Sequence, residues 1–384
     1  MIDRIMYFLL ILFALASNIS TGVTSFVIAL GIILSLIKLI IQKEKIVFDK
    51  NLFKMIILFS IIEIIVGVFG IHPIEGLKQA FSEIYRFSPL FFTTLFIKNK
   101  KQLGNIVFAF ALSLLLNSFY GLYQFAVLDI LRPTGFNNTA TFYASHLLMG
   151  IFFLYSILRD DIFQPWQKKI FYFISLFSVI MLFLSGTRGG WIALISTILL
   201  LIYLCKIIKK EFLIIITVVF LSSSIAFVAL PNFKERVFSI LDTKVASNTE
   251  RILMWKSAIE IFKDNPIHGI GHNSFKEVYN IYYISPEAKE VGHTHPHNNF
   301  LKILAEGGVI GAIGYVSFYL YLTYYFYKKY KYNYSMWGLA AIAIIFSIQI
   351  EGLTDWNTGQ VPIMREFWFL LGLAIANDNL KING

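Results

Sequence analysis

Charge is what this sequence has least of. Only 15% of its 384 residues are charged against 57% hydrophobic, and its mean hydropathy is +0.69. A soluble domain carries roughly a quarter charged residues, so a soluble globular chain is excluded and an integral membrane protein is indicated. Cysteine is nearly absent too: the single Cys205 excludes an internal disulfide framework and leaves the redox compartment illegible. Internal repeats and low-complexity tracts are missing, which predicts one membrane domain over residues 1–384. The net charge of +10 is not a nucleic-acid footprint, because the lysines come in short clusters between apolar runs. That is the pattern of cytoplasmic loops facing anionic lipid, so membrane lipids are expected partners and nucleic acid is not.

What is present is a series of apolar runs of membrane-crossing length, roughly 17–25 residues. They lie near 5–20, 22–41, 53–71, 81–97, 103–127, 141–158, 170–184, 190–207, 212–231, 301–327, 335–350 and 362–376. The expected fold is therefore all-α and polytopic, with about twelve transmembrane helices. Arg4, the run 5–13 and Ala14-Leu15-Ala16 could be read as a cleavable signal peptide, but a second run follows at once, which favours a retained span. Basic residues cluster in alternate loops: Lys43, Lys45 and Lys50; Lys98, Lys100 and Lys101; Arg159, Lys168 and Lys169; Lys206, Lys209 and Lys210; Lys328, Lys329 and Lys331. The positive-inside rule then predicts both termini in the cytoplasm. Arg132, Arg188 and one long loop, 232–300 between the ninth and tenth spans, fall outside.

That loop reads as structured. "SNTERILMWKSAIEIFKDNP" predicts an amphipathic helix, with Ser247 and Glu250 at capping-box spacing and Ile252, Trp255, Ile259 and Phe262 along one face. Pro266 ends it and "GIG" turns the chain. Arg251 lies in the first turn, on the same side as Trp255.

Arg188, in "LSGTRGGWIA", has no carboxylate near it in the sequence. It either marks a membrane edge by snorkelling or holds an anion. Gly186, Gly189 and Gly190 favour close approach of a ligand or helix, and the start of the next span adds free amides and a helix dipole. Arginine suits a diphosphate, since it stays charged and binds in a bidentate fork. Arg251 reads either as part of such a site or as a solvated helix residue. His293, His295 and His297 alternate, which would put them on one face of an extended segment. Three readings stay open for them: a zinc site, a general base near neutral pH, or polar loop residues.

Several of these elements together resemble the O-antigen ligase and polymerase superfamily. His297-Asn298, nine residues, Gly308, two residues and Gly311 are similar to the signature of O-antigen ligases. "SGTRGGW" looks like the superfamily's Ser-x-x-Arg-Gly element, and "TERILMWKSAIEIFKDNPIHGIGHNSF" resembles its Arg-x-x-x-Trp … Pro-x-x-Gly-x-Gly stretch. "RPTGFNN" at 132–138 is a further, weaker match.

The resemblance implies a glycosyltransferase of the bacterial inner membrane with its active site on the periplasmic face. The implied donor is an undecaprenyl-diphosphate-linked glycan, and the acceptor a hydroxyl of lipid A–core. Arg188 and Arg251 would bind the diphosphate and His297 would activate the acceptor. Arg132, Asn298 and His295 are further candidates for substrate binding. Neither a metal nor any other cofactor is implied, because the arginines would neutralise charge on the leaving group. A repeat-unit polymerase, with a second lipid-linked glycan as acceptor, would need the same residues. A transporter is the third reading; against it, the spans show few charges, Glu63 chief among them, and no repeat symmetry.

Overall fold

The structure, a computed structural model, describes residues 1–43, 48–205 and 246–382 with isolated positions between 217 and 239. Among the described residues the regular structure is helical throughout. The first part of the chain forms α1 (Ile2–Ala16), α2 (Thr21–Ile40), α3 (Lys50–Val68), α4 (Pro73–Tyr85), α5 (Ser88–Phe96), α6 (Lys100–Ala126), α7 (Ala140–Ile157), α8 (Pro165–Leu184) and α9 (Arg188–Cys205). After the long insertion begins come α10 (Ala246–Asp264), α11 (Phe275–Val278), a π-helical turn (Tyr279–Tyr283), α12 (Asn299–Asn333), α13 (Met336–Glu351) and α14 (Val361–Ile382).

Seven of these helices, α2, α3, α6, α7, α8, α9 and α12, are long and apolar enough to cross a membrane. The chain is a multi-pass membrane protein. Five of the twelve apolar runs are not among these seven. With 15 and 16 residues, α1 and α13 are short. The run at 81–97 is broken between α4 and α5, where Pro89 in the first turn of α5 removes an amide and starts a new helix. Arg365, Glu366 and Asp378 put charge into α14. The run near 212–231, and much of the first part of the 232–300 loop, lie outside the described residues.

The apolar runs also hold more buried charge than the sequence reading allowed. Arg86, Lys302, Glu306, Arg365 and Glu366 are all at most 5% exposed. These charges are paired: Arg86 with Glu83 at 2.8 Å, His146 with Glu366 at 2.9 Å, and Lys302 with Glu306 one turn on. Glu63 is thus one member of a larger set, and scarcity of buried charge no longer argues against transport.

The insertion docks onto α12. Its helix α10 buries Met254, Ala258 and Ile261 against Ile270, Phe275, Tyr279 and Ala305. The expected face, Ile252, Trp255, Ile259 and Phe262, is not the buried one, since Ile259 is 39% exposed. Two apolar stripes interleave on this helix, and the one holding small Ala258 allows the closer approach. Nor does the capping box form. The helix already begins at Ala246, the Ser247 hydroxyl accepts from Arg188, and the Glu250 carboxylate accepts from the Lys289 amide at 2.8 Å.

Gly308 is where the insertion is stitched in. It breaks α12 with φ +57° and ψ −153°, a conformation open essentially to glycine alone. The break frees helix groups for the 266–271 turn: Val309 donates to Pro266 at 2.8 Å, Ile310 to Ile267 at 3.1 Å, and Gly271 to Glu306 at 2.8 Å. Val66 of α3 lies over the glycines beside it, where an added Cβ would meet it at 3.5 Å from Gly307 and 3.6 Å from Gly311. At Gly308, however, a Cβ would sit 2.5 Å from the Ile267 carbonyl oxygen. Gly308→Ala should therefore cost about 1–3 kcal/mol and lower the thermal midpoint in detergent by several degrees. An unchanged midpoint would show that the break is not needed.

Candidate active site

Four segments meet on one side of the bundle: the turn between α8 and α9, the first turn of α10, the turn before α12, and the 352–360 connection between α13 and α14. Gly186, at φ +64°, turns the chain so that α9 begins at Arg188. The first-turn amides there have no intrahelical acceptor. A Cβ on Gly189 would collide with the Thr354 hydroxyl, so the 352–360 connection lies directly on this turn.

Arg132, Arg188 and Arg251 line one cavity of 180 Å³ together with Glu351, Thr354 and Asp355. The carboxylates that the neighbourhood of Arg188 lacks in sequence are supplied here from more than 160 positions away. Arg188 is oriented by Nη1, which donates to the Ser239 carbonyl at 2.7 Å and hydroxyl at 3.0 Å, and by Nη2, which donates to Ser247 at 3.2 Å. The Nε of Arg132 donates to the Ser185 carbonyl at 3.4 Å. Burial lowers the pKa of Arg251 while the Asp355 charge opposes it; a guanidinium keeps its charge under such a shift.

His297 stands beside that cavity. Its backbone has φ +50°, which turns the chain just before the helix, so the three alternating histidines do not share the face of an extended strand. Nδ1 of His297 lies 3.1 Å from Oδ1 of Asp355, and the same oxygen accepts from the Trp356 amide at 2.8 Å. Burial alone would raise the Asp355 carboxyl, but the hydrogen bond and charge of His297 outweigh it and hold it at about 2. An ionised carboxylate can only accept, so Nδ1 carries the proton and Nε2 of the neutral ring keeps its lone pair.

The neighbours of His297 hold it in place. Asn298 caps α12, its oxygen accepting from Leu301 at 3.0 Å and its amide donating to the Leu353 carbonyl at 2.9 Å. Asn299 adds a bond to Asn357 at 2.7 Å. Both polar ends of Asn298 thus bond within the chain, a scaffold task at the start of α12. His295 packs its ring 4.4 Å from His297 and 5.1 Å from Trp356, and its Nδ1 accepts from the His297 amide at 3.2 Å. Burial, then His297, pushes its pKa down to about 3, so it is neutral at physiological pH. His293 leans to Glu290 at 3.6 Å.

His295, His297 and Asp355 form the one group among the described residues able to hold a metal ion, with ligand atoms within 4.8 Å of one another. Nδ1 of His295 and Nδ1 of His297 are each engaged in a hydrogen bond. Asp355 and Glu351 are the residues that sequence reasoning missed. The available signal was "EGLTDWNTGQ", a short acidic segment joining two apolar runs on the same side as Arg188.

Residues 173–316 match the family model described as O-antigen ligase. The matched segment holds Arg188, Arg251 and His297 and ends before Asp355. The chain is also similar to a protein of Haemophilus influenzae described only as uncharacterized. The two are 26% identical over 311 residues, covering 74% of this chain and 75% of the other.

Proposed function

We propose, on the match of residues 173–316 to the O-antigen ligase family model and on the site's geometry, that this chain moves a glycan from undecaprenyl diphosphate to a hydroxyl of lipid A–core. In this reading both termini are cytoplasmic and the chemistry occurs at the periplasmic face of the inner membrane. The observation that carries it is the pairing of three arginines on one cavity with the His297–Asp355 dyad at its edge.

The arginines bind the diphosphate and neutralise the charge that grows on it as it leaves. Nε2 of His297 takes the proton of the acceptor hydroxyl, whose oxygen forms a bond to the anomeric carbon. The bond from that carbon to the carrier diphosphate breaks, and the diphosphate departs with the electron pair. One displacement inverts the anomeric configuration. Asp355 keeps the ring in the productive tautomer and stabilises the imidazolium it becomes. Every charge in this scheme is met by a side chain, so no metal enters it.

Purified protein in bilayers, given carrier-linked glycan with and without lipid A–core, tests the reading. Glycosylated lipid A–core should form, and donor should be consumed only when that acceptor is present. Lengthened carrier-linked glycan without lipid A–core would make the chain a polymerase. Passage of intact carrier-linked glycan across the bilayer with no new glycosidic bond would make it a transporter.

A further inference from the structure

A second cavity, of about 70 Å³, lies between α3, α4, α12 and the 352–360 connection. A buried water needs roughly 10–15 Å³ of such space, so it has room for about five to seven waters, comparable with one pyranose ring. We propose that this cavity binds a sugar ring of the acceptor glycan; the assignment rests on the transfer reading above.

Its walls have the two characters that a sugar needs. Glu63, Gln79, His272, Asn273, Lys302 and Thr358 supply hydrogen-bonding groups, and Trp356, Tyr315, Tyr319 and Phe59 supply apolar ring faces. The charges are paired, Glu63 with His272 across two segments at 3.1 Å, and Arg86 with Glu83 at 2.8 Å and Lys302 with Glu306 each within one turn. Charges already paired within the walls disfavour an ion as the occupant, and a lipid tail would bury these polar groups without partners. A neutral polyol satisfies both walls. One donor is waiting for such a partner: Arg86 is 2% exposed and its Nε makes no hydrogen bond.

Position supports the same assignment. Thr354 and Asp355 line the arginine cavity, while Trp356 and Thr358 line this one. Consecutive residues of one short segment therefore face two cavities. The Trp356 indole carries Lys302 at 4.7 Å and adjoins His295 at 5.1 Å. The second cavity is thus one side chain away from the His297–Asp355 dyad. An inverting displacement requires the nucleophile to arrive opposite the leaving group, which matches a donor in one cavity and an acceptor in the other.

Glu63→Gln and the gentler Gln79→Ala, which removes a half-buried side chain, test this. Each should raise KM for lipid A–core at least tenfold and leave KM for the carrier-linked donor, and kcat at saturating acceptor, within about twofold. Delipidated core oligosaccharide should bind the wild-type protein, followed by tryptophan fluorescence, and bind both variants more weakly. Wild-type transfer with unchanged acceptor KM in Gln79→Ala, or a rise in donor KM instead, overturns the assignment. Oligosaccharide binding that both variants weaken, in a wild-type protein that transfers nothing to lipid A–core, would keep the sugar pocket and discard the transfer reading.

Discussion

Replacing His297 by alanine should slow glycan transfer by about 10²–10⁴-fold, the usual worth of a general base, while carrier-linked donor still binds. Donor binding survives because the arginines sit on other segments, α9 and α10 and the 132–138 stretch. Asp355→Asn should also slow transfer, since an amide can present its N–H to Nδ1 and place the proton on Nε2, where it blocks the base. The pH profile separates the two residues. Asp355, held at about 2, stays ionised from pH 8 down past pH 5, so its own titration cannot cause an activity loss in that range. Its depressed pKa stabilises the fold above the ordinary carboxyl range, and that contribution disappears only as pH falls towards 2. A chelator should leave the wild-type rate intact, and His295→Ala should cost less than His297→Ala. Equal losses together with chelator sensitivity would put a metal on His295, His297 and Asp355. Normal turnover by His297→Ala, or failure only in donor binding, would show the base to be another group.

The parts of this site that could be read from sequence are those whose meaning is local. Arg188 stands out because glycines flank it at the edge of an apolar run, and His297 because it directly precedes one. Asp355 carries no local mark. Its importance depends on a contact across 58 positions, between a turn before α12 and a connection after α13. The helix at 246–264 was legible as a helix, but its buried face was not, because both of its apolar stripes have helical spacing and only docking against Phe275 and Tyr279 selects one. Buried ion pairs escaped for a related reason. Single charges such as Arg86 or Glu306 look like span edges until the fold brings Glu83 or Lys302 beside them. Gly308 is visible in sequence as one glycine of the stretch that follows His297-Asn298. That it admits a backbone turn, where its neighbours admit a helix, follows only from its φ of +57°.

Arg188→Lys should raise KM for the carrier-linked donor by roughly 10- to 100-fold, although the charge is kept. Hydrogen bonds to charged groups are worth about 1.5–3 kcal/mol each, and each 1.4 kcal/mol is tenfold in affinity. The guanidinium is a planar fork whose orientation is set by three bonds, to the Ser239 carbonyl and hydroxyl and to Ser247. An ammonium can keep one such anchor or reach the diphosphate as a point charge, but it cannot hold the plane that presents parallel N–H groups to two oxygens. Arg188→Ala should be worse, losing donor binding and the rate at saturating donor together, because the charge on the departing diphosphate then lacks its nearest cation. Ser247→Ala supplies the control: it removes an orienting contact without touching charge, so its effect should be smaller than that of either arginine variant. Arg251→Ala should resemble Arg188→Ala in weakening donor use, since both line the same cavity. Near-normal donor KM and rate in Arg188→Lys would instead leave Arg188 as a residue that only marks the membrane edge, and the diphosphate would have to be held by Arg132 and Arg251.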